Sequence, residues 1–259
     1  MLKVENLVCG YGNKTVIQDI SLRIEPGQVM CVLGPNGSGK STLFKSILGF
    51  LPLKEGQILI NGKSIGEYTR KDIAKTIGYV PQGHIPTFPF EALDVVLMGR
   101  TAHVGLFQSP NKRDIEIAEE AFEILGISYL KNKIYTQMSG GERQLVLIAR
   151  ALVTQPKMLI MDEPTSNLDF GNQIMILNHI QKLANRGMSI IMSSHFPEHA
   201  FLYSQKVLLL EKGQVYSYGT PEDTVTEQSL EDLYGVKVDI MSTTTTRGKN
   251  IRVCVPLAC

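Results

Sequence analysis

The 259-residue chain is poor in cysteine, and Cys9, Cys31, Cys254 and Cys259 stand singly, with no C-x-x-C pair and no histidine spacing around them. This argues against a zinc site or a disulfide scaffold and suits a reducing compartment, with Cys31 packed in a strand. The histidines at 84, 103, 179 and 199 are equally unpatterned and read as surface or packing residues. Net charge is nearly absent too: 26 Lys and Arg face 25 Asp and Glu, which is not the basic footprint of a dedicated nucleic-acid binder. No apolar run approaches the length of a bilayer span. The start, Met1-Leu2-Lys3-Val4-Glu5-Asn6, lacks the charged-then-apolar layout of a secretory leader, so a membrane role is expected to come through a partner. Linkers and internal repeats are missing as well. What is present is 43% hydrophobic residues, enough for one large domain or a core plus a subdomain.

Against that plain background one stretch stands out. Gly34-Pro35-Asn36-Gly37-Ser38-Gly39-Lys40-Ser41-Thr42 meets every position of the phosphate-loop pattern G-x-x-x-x-G-K-[ST]. Its glycines let successive backbone N–H groups turn toward an anion, Lys40 adds a mobile positive charge, and Ser41 offers a hydroxyl to a magnesium ion. The flanks agree. Gln28 to Leu33 reads as a buried strand entering the loop, and Ser41 to Gly49 as a helix leaving it with its N-terminus at the phosphates. A nucleoside triphosphate is the expected ligand.

Residues 1–30 alternate apolar and polar and predict an antiparallel β region, with further short strands at Gln57-Ile58-Leu59-Ile60 and Ile77-Gly78-Tyr79-Val80. From about Phe90 to Val153 the period becomes helical. Ile115, Ala118, Phe122 and Leu125 mark one face, behind cap residues and a helix-starting proline in Ser109-Pro110-Asn111-Lys112. The strand pattern returns at Lys157 to Met161. A helix over Gln173 to Asn185 and a strand over Met188 to Ser193 follow, an order that implies a parallel sheet. Two hairpins close the chain, Val207–Glu211 with Gln214–Tyr218 and Val236–Ile240 with Ile251–Val255, the second around a threonine-rich turn.

The apolar strand Met158 to Met161 ends in Asp162 and Glu163, which a soluble protein places at the edge of its sheet, where phosphates bind. Asp162 there holds magnesium through water, and Glu163 takes a proton from an attacking water. Met138-Ser139-Gly140-Gly141-Glu142 precedes an apolar helix, and Ser139 with Glu142 forms a capping box. Capping leaves the paired glycines unexplained, since glycine is a poor helix former, so something is expected to approach that backbone closely. A bare helix N-terminus is a second anion site, and with one phosphate loop already serving this chain's nucleotide, the economical expectation is that it covers the nucleotide of another copy.

In this order and spacing the motifs resemble those of an ATP-binding cassette (ABC) ATPase, the nucleotide-hydrolysing subunit of a transporter, over nearly the whole length. The resemblance implies an α/β fold with a P-loop NTPase (RecA-like) core, an N-terminal antiparallel β subdomain and an inserted α-helical subdomain. It implies one cassette over 1–259, with 1–85 and 157–235 as β subdomain and core, 86–156 as the helical subdomain and 236–259 as a hairpin tail. By the same resemblance Tyr11 stacks on adenine, Gln82 contacts the metal and senses the transport subunit, and Ser139-Gly140-Gly141 is the family signature. Asp162 and Glu163 are the metal-holding and general-base carboxylates, Asp169 is the acid of a loop that crosses a dimer, and His195 contacts the γ-phosphate. ATP and Mg²⁺ are the implied cofactors. The signature departs from the family pattern at Met138 and Glu142, where Leu and Gln are usual, and Asn167 stands where Ala is usual. Glu142 sets a negative charge beside a phosphate site, which acts against closure around ATP.

Asp94-Val95-Val96-Leu97-Met98-Gly99-Arg100, with Ala102-His103 and Leu106-Phe107, is similar to the helical subdomain of importers for iron-siderophore, haem, cobalamin and related ligands, although a proline is common at Ala102. The tail Leu230 to Val236 is similar to the same group. The implied partners are a second copy of the chain, integral membrane permease subunits and a substrate-binding protein, with no nucleic acid, at the cytoplasmic face of the membrane. Two rivals are a soluble cassette ATPase working on DNA or ribosomes and a phosphate-loop kinase. The single cassette, the balanced charge and the absence of long coiled-coil insertions speak against the first. The Ser139 loop and Asp169 speak against the second.

Overall fold

The computed structural model describes residues 1–83, 88–104, 108–246, 248 and 250–257; His84, Leu106, Phe107 and Cys259 lie outside the described residues. Two compact units are formed, residues 1–67 with 189–259, and residues 68–188.

The first unit begins with strands β1 (Leu2–Tyr11) and β2 (Lys14–Ile24), paired antiparallel. Their alternating residues Leu2, Val4, Leu7, Ile20, Leu22 and Ile24 are buried, as the period-two pattern requires. Strand β3 (Val29–Leu33) is buried at every position, the mark of a strand covered on both faces, and leads through the glycine loop into helix α1 (Lys40–Ile47). Strands β4 (Leu53–Ile60) and β5 (Lys63–Ser64) complete a sheet of order β2-β1-β4-β5. Pairing with β1 starts β4 four residues earlier than its apolar Gln57–Ile60 end suggests, because exposed Lys54 and Glu55 are carried by ladder hydrogen bonds rather than burial.

The second unit opens with helix α2 (Arg70–Thr76), which sequence periodicity did not reveal: seven residues bury only Ile73, and a Thr69–Asp72 capping box starts the helix. Strand β6 (Ile77–Val80) follows, then helices α3 (Ala92–Leu97), α4 (Lys112–Ile124) and α5 (Gly140–Leu152) in the stretch expected to be helical. Strand β7 (Met158–Met161) pairs parallel with β6, and helix α6 (Phe170–Asn185) ends the unit. Two details of α4 differ from expectation. Asn111 is the N-cap, so Pro110 precedes the helix instead of starting it. Ile115 is exposed, and the inward face is Asp114, Ile117, Ala118, Ala121, Phe122 and Leu125. A buried carboxylate completes that i, i+3, i+4 row because Arg100 meets it at 2.8 Å while also donating to the Val153 carbonyl at 2.7 Å.

The chain then returns to the first unit as strand β8 (Ser189–Ser193), helix α7 (Pro197–Tyr203), strands β9 (Lys206–Glu211) and β10 (Gln214–Gly219), helices α8 (Pro221–Thr224) and α9 (Glu227–Tyr234), and strands β11 (Val238–Thr244) and β12 (Asn250–Pro256). Strand β3 pairs parallel with β8 on one side and β9 on the other, and β10 adds antiparallel to β9. The phosphate loop therefore leaves the sheet at the C-terminal end of a parallel strand, the position where such sheets bind ligands. Both expected hairpins are present.

Candidate functional site

In the first unit, burial of β3 fixes where the phosphate loop starts, and backbone bonds hold its shape: Ser38 N donates to Pro35 O, and Gly213 N donates to Ser38 O at 2.9 Å. The Lys40 ammonium is buried against its own loop and donates to the carbonyls of Gly34 (2.6 Å) and Pro35 (3.1 Å). Ser38 Oγ is buried with no hydrogen-bond partner among the described residues. Such a hydroxyl is costly unless a ligand satisfies it, and an anion does so. No acidic residue stands in the first turn of α1, whose N-terminal end at Gly39 to Thr42 carries the partial positive charge of a helix start. Tyr11, at the end of β1, is 47% exposed and receives a hydrogen bond from Lys45 of α1. Ser194 N donates to Val32 O of β3, so His195 leaves the sheet at the same edge as the loop. Behind it Ser194 Oγ is 2.8 Å from Nδ1 of buried His199 and accepts from Phe196 N at 3.0 Å. Burial pushes the His199 imidazole down to about 4, so it stays neutral. Sequence alone gives His199 no role beyond surface or packing; its bond to Ser194 braces the loop that carries His195.

In the second unit, Asp162 continues the β6–β7 pairing by donating its N–H to Val80 O, and only 4% of it is exposed. Glu163 follows in a left-handed conformation (φ 48°), a strained state that persists at functional turns. Gln82 Nε2 donates to Glu163 Oε2 at 2.6 Å. Two residues 81 positions apart, expected separately as metal contact and base, are thus directly bonded.

The Ser139 capping box forms as expected: Glu142 Oε2 accepts from Ser139 N (2.8 Å) and Ser139 Oγ from Glu142 N (3.3 Å). Sequence reasoning missed Lys133, whose ammonium meets both Glu142 oxygens at 2.8 and 2.9 Å. That bond, ahead of the Ser139 cap, holds the Glu142 carboxyl below its usual range. The charge of Glu142 is therefore compensated by Lys133. The close approach expected at the glycine pair also exists, but at Gly141 it comes from the same chain: a Cβ there would lie 2.2 Å from Asn172 Oδ1. At Gly140 it would meet a Leu168 methyl at 3.1 Å, with the Asn167 carbonyl next at 4.0 Å. Asn172 in turn donates to both oxygens of Asp169, the N-cap of α6, and these bonds keep the Asp169 carboxyl low. Asp169, Asn172 and Gly141 thus form one connected group, for which the Asp-x-x-Asn spacing at a helix start was the available signal. Asn167, at φ 59°, occupies a left-handed position that asparagine tolerates well.

The ABC transporter family profile matches residues 17–166. The chain belongs to the ABC transporter family. It is an ATP-hydrolysing subunit of that family and has its α/β, P-loop NTPase fold. A manganese transport system ATP-binding protein of Bacillus subtilis is 37% identical over 93% of this chain and 94% of its own length. A hemin import ATP-binding protein of Pseudomonas fluorescens is 36% identical over 92% of this chain and 94% of its own. Among solved structures, an inward-facing ABC transporter described as of metal-chelate type superposes with a TM-score of 0.88 at 32% identity, covering 99% of this chain and 97% of that one. No helix among the described residues is long and apolar enough to cross a membrane.

Proposed function

We propose that this ABC ATPase powers uptake of a metal-chelate type ligand through an integral membrane permease, at whose cytoplasmic face it is held as a pair of identical chains with a substrate-binding protein on the far side. The Asp94–Arg100 stretch, the tail after Leu230 and the relatives named above support the ligand class. Each chain carries one phosphate loop and one Ser139 loop, and the pairing would place each phosphate loop opposite the Ser139-Gly140-Gly141 backbone and Asp169 of the other copy.

The residues suit ATP and magnesium. Ser41 hydroxyl, Gln82 amide and Asp162 carboxylate are hard oxygen donors of the kind magnesium selects. Among the described residues no group of three His, Cys, Asp or Glu is gathered to hold a metal, so the ion would arrive with the triphosphate. Bound there, magnesium supplies charge neutralisation on the phosphate oxygens. Lys40 would move from the Gly34 and Pro35 carbonyls to the phosphate oxygens, where an ammonium has the stronger partner. Glu163 would take the proton of a water whose oxygen attacks the γ-phosphorus as the bond to the bridging oxygen of ADP breaks. His195 would contact the γ-phosphate, and Tyr11 would stack on adenine.

The observation that carries the reading is the Gln82–Glu163 bond, since it ties the residue that would sense the permease to the one that would activate water. Reconstitution in vesicles with the co-purifying permease is the test. Permease should stimulate ATP hydrolysis by the wild-type chain and not by Gln82→Ala. Equal rates with and without permease in the wild type would overturn the coupling.

A further inference from the structure

Helices α5 and α6 of the second unit start next to each other, and one side chain joins the segments that start them, the Ser139 loop and the Asp169 loop. Asn172, in the first turn of α6, donates its backbone N–H to Asp169 Oδ1 at 2.9 Å and its side-chain N–H to Asp169 Oδ2 at 2.6 Å. The opposite end of the same amide faces Gly141, where a Cβ would lie 2.2 Å from Oδ1 and 2.5 Å from the amide carbon. One planar group therefore separates the Asp169 carboxylate from the Gly141 backbone, with its donor end on the first and its oxygen against the second.

Helix capping does not account for this arrangement. The cap of α6 is Asp169 accepting from the backbone N–H at 172, a bond that any residue but proline supplies. Asparagine is a weak helix former, so local helix stability does not call for it either. What its side chain adds is a second hold on Asp169 and a stop against Gly141. The same loop is fixed from behind, where Gln173 Nε2 donates to the Leu168 carbonyl at 2.9 Å and Ser166 Oγ to the Glu163 carbonyl at 3.0 Å. Asp169 is exposed, and so is Phe170 beside it, at 81%. This end of the group faces outward, where a second copy would meet it.

We propose that Asn172 is a positioning residue that holds Asp169 and the Ser139-Gly140-Gly141 backbone in one arrangement, and that it acts on the nucleotide of the other copy rather than on that of its own chain. The proposal rests on the paired-chain reading given above. A chain altered at Asn172 keeps its own phosphate loop, Lys40 and Glu163, but it presents a loosened Ser139 loop and Asp169 to its partner. The defect therefore belongs to the partner's site, and a partner with an intact Asn172 cures the altered chain.

The variants are Asn172→Ala and Asn172→Asp, the second keeping the shape while removing the side-chain donor, and thermal melts verify that each is folded. At low chain concentration both should bind a fluorescent ATP analogue as the wild type does. Their single-turnover hydrolysis at saturating ATP should be at least ~10-fold slower, since a displacement of about 1 Å in a positioning group is enough for such a loss. Asn172→Ala is then mixed with an excess of Glu163→Gln chain, which lacks the base but offers an intact Asn172. Turnover per Asn172→Ala chain should rise at least roughly fivefold, and an excess of the double variant Asn172→Ala, Glu163→Gln should give no rise. Wild-type turnover in folded Asn172→Ala overturns the proposal. So does an equal rise with both added chains, which would owe nothing to Asn172. Sedimentation with a slowly hydrolysed ATP analogue separates the two readings. Chains that pair without any rise overturn the action of Asn172 on its partner alone. Wild-type chains that hydrolyse ATP and stay single overturn the pairing, and the role of Asn172 with it.

Discussion

The amide of Gln82 donates to the carboxylate of Glu163 at 2.6 Å, joining the loop after β6 to the turn after β7. Glu163→Gln removes the proton acceptor and keeps the shape, so ATP turnover should fall by about 10²- to 10⁴-fold while ATP binding persists. Gln82→Ala leaves the carboxylate in place and removes only this one bond to it, so the loss should be smaller. Because both changes act on one group, the double variant should be no slower than Glu163→Gln alone. Single-turnover hydrolysis with a fluorescent nucleotide for binding gives all three values. Near-normal turnover in Glu163→Gln would remove that residue from the base role.

Lys133 grips both oxygens of Glu142 in a partly exposed pair, so its contribution to stability is small, within about 1 kcal/mol, and its larger effect is on charge. Lys133→Ala should leave the melting temperature within a few degrees yet weaken ATP-driven self-association, because an uncompensated carboxylate then stands at the Ser139 loop. Glu142→Gln keeps the cap and deletes the charge, so it should suppress the Lys133→Ala defect. Sedimentation with a slowly hydrolysed ATP analogue reads this directly. Equal association in wild type and Lys133→Ala would show that Glu142 does not face phosphate.

His199 links the loop carrying His195 to pH. Its folded value is depressed from 6.5 to about 4, so the buried ring resists protonation. The stabilisation from keeping it neutral is complete above pH 6.5 and is lost as pH falls toward 4, where the unfolded chain binds the extra proton first. The loss amounts to about 3 kcal/mol at most. Denaturant melts of wild type and His199→Gln at pH 7 and pH 4.5 should show a shallower acid decline in the variant, which has no imidazole to protonate. Parallel declines would place the acid sensitivity in the carboxylates.

Local signals and long-range ones differed sharply in legibility. The phosphate loop, the buried strands β3 and β7, the Ser139–Glu142 box and the Lys212-Gly213 hairpin turn are written in consecutive residues, and each was readable from spacing. Pairing across distance was not. Nothing near Glu142 announces Lys133, nothing near Glu163 announces Gln82, and periodicity puts Ile115 on the inward face of α4 because a buried Asp114 is invisible until Arg100 is seen beside it. Helix α2 escaped because seven residues with one buried apolar side chain carry almost no periodic signal.

The two glycines of the Ser139 loop separate packing from function. At Gly141 a methyl group would lie 2.2 Å from Asn172 Oδ1, whose side chain is tied to Asp169, so the neighbour cannot yield freely. Gly141→Ala should therefore cost about 1–3 kcal/mol, and adding Asn172→Ala should return part of it. At Gly140 the methyl would meet one end of Leu168 at 3.1 Å, a flexible contact that gives way, so Gly140→Ala should fold nearly as the wild type. If the loop's backbone lies against a phosphate of another copy, Gly140→Ala should nonetheless lose turnover, because the added methyl stands where the anion must approach. Thermal melts paired with steady-state hydrolysis make the comparison. A Gly140→Ala chain that is both stable and fully active would show that only Gly141 is needed, for the sake of Asn172, and that the second glycine does not serve the nucleotide.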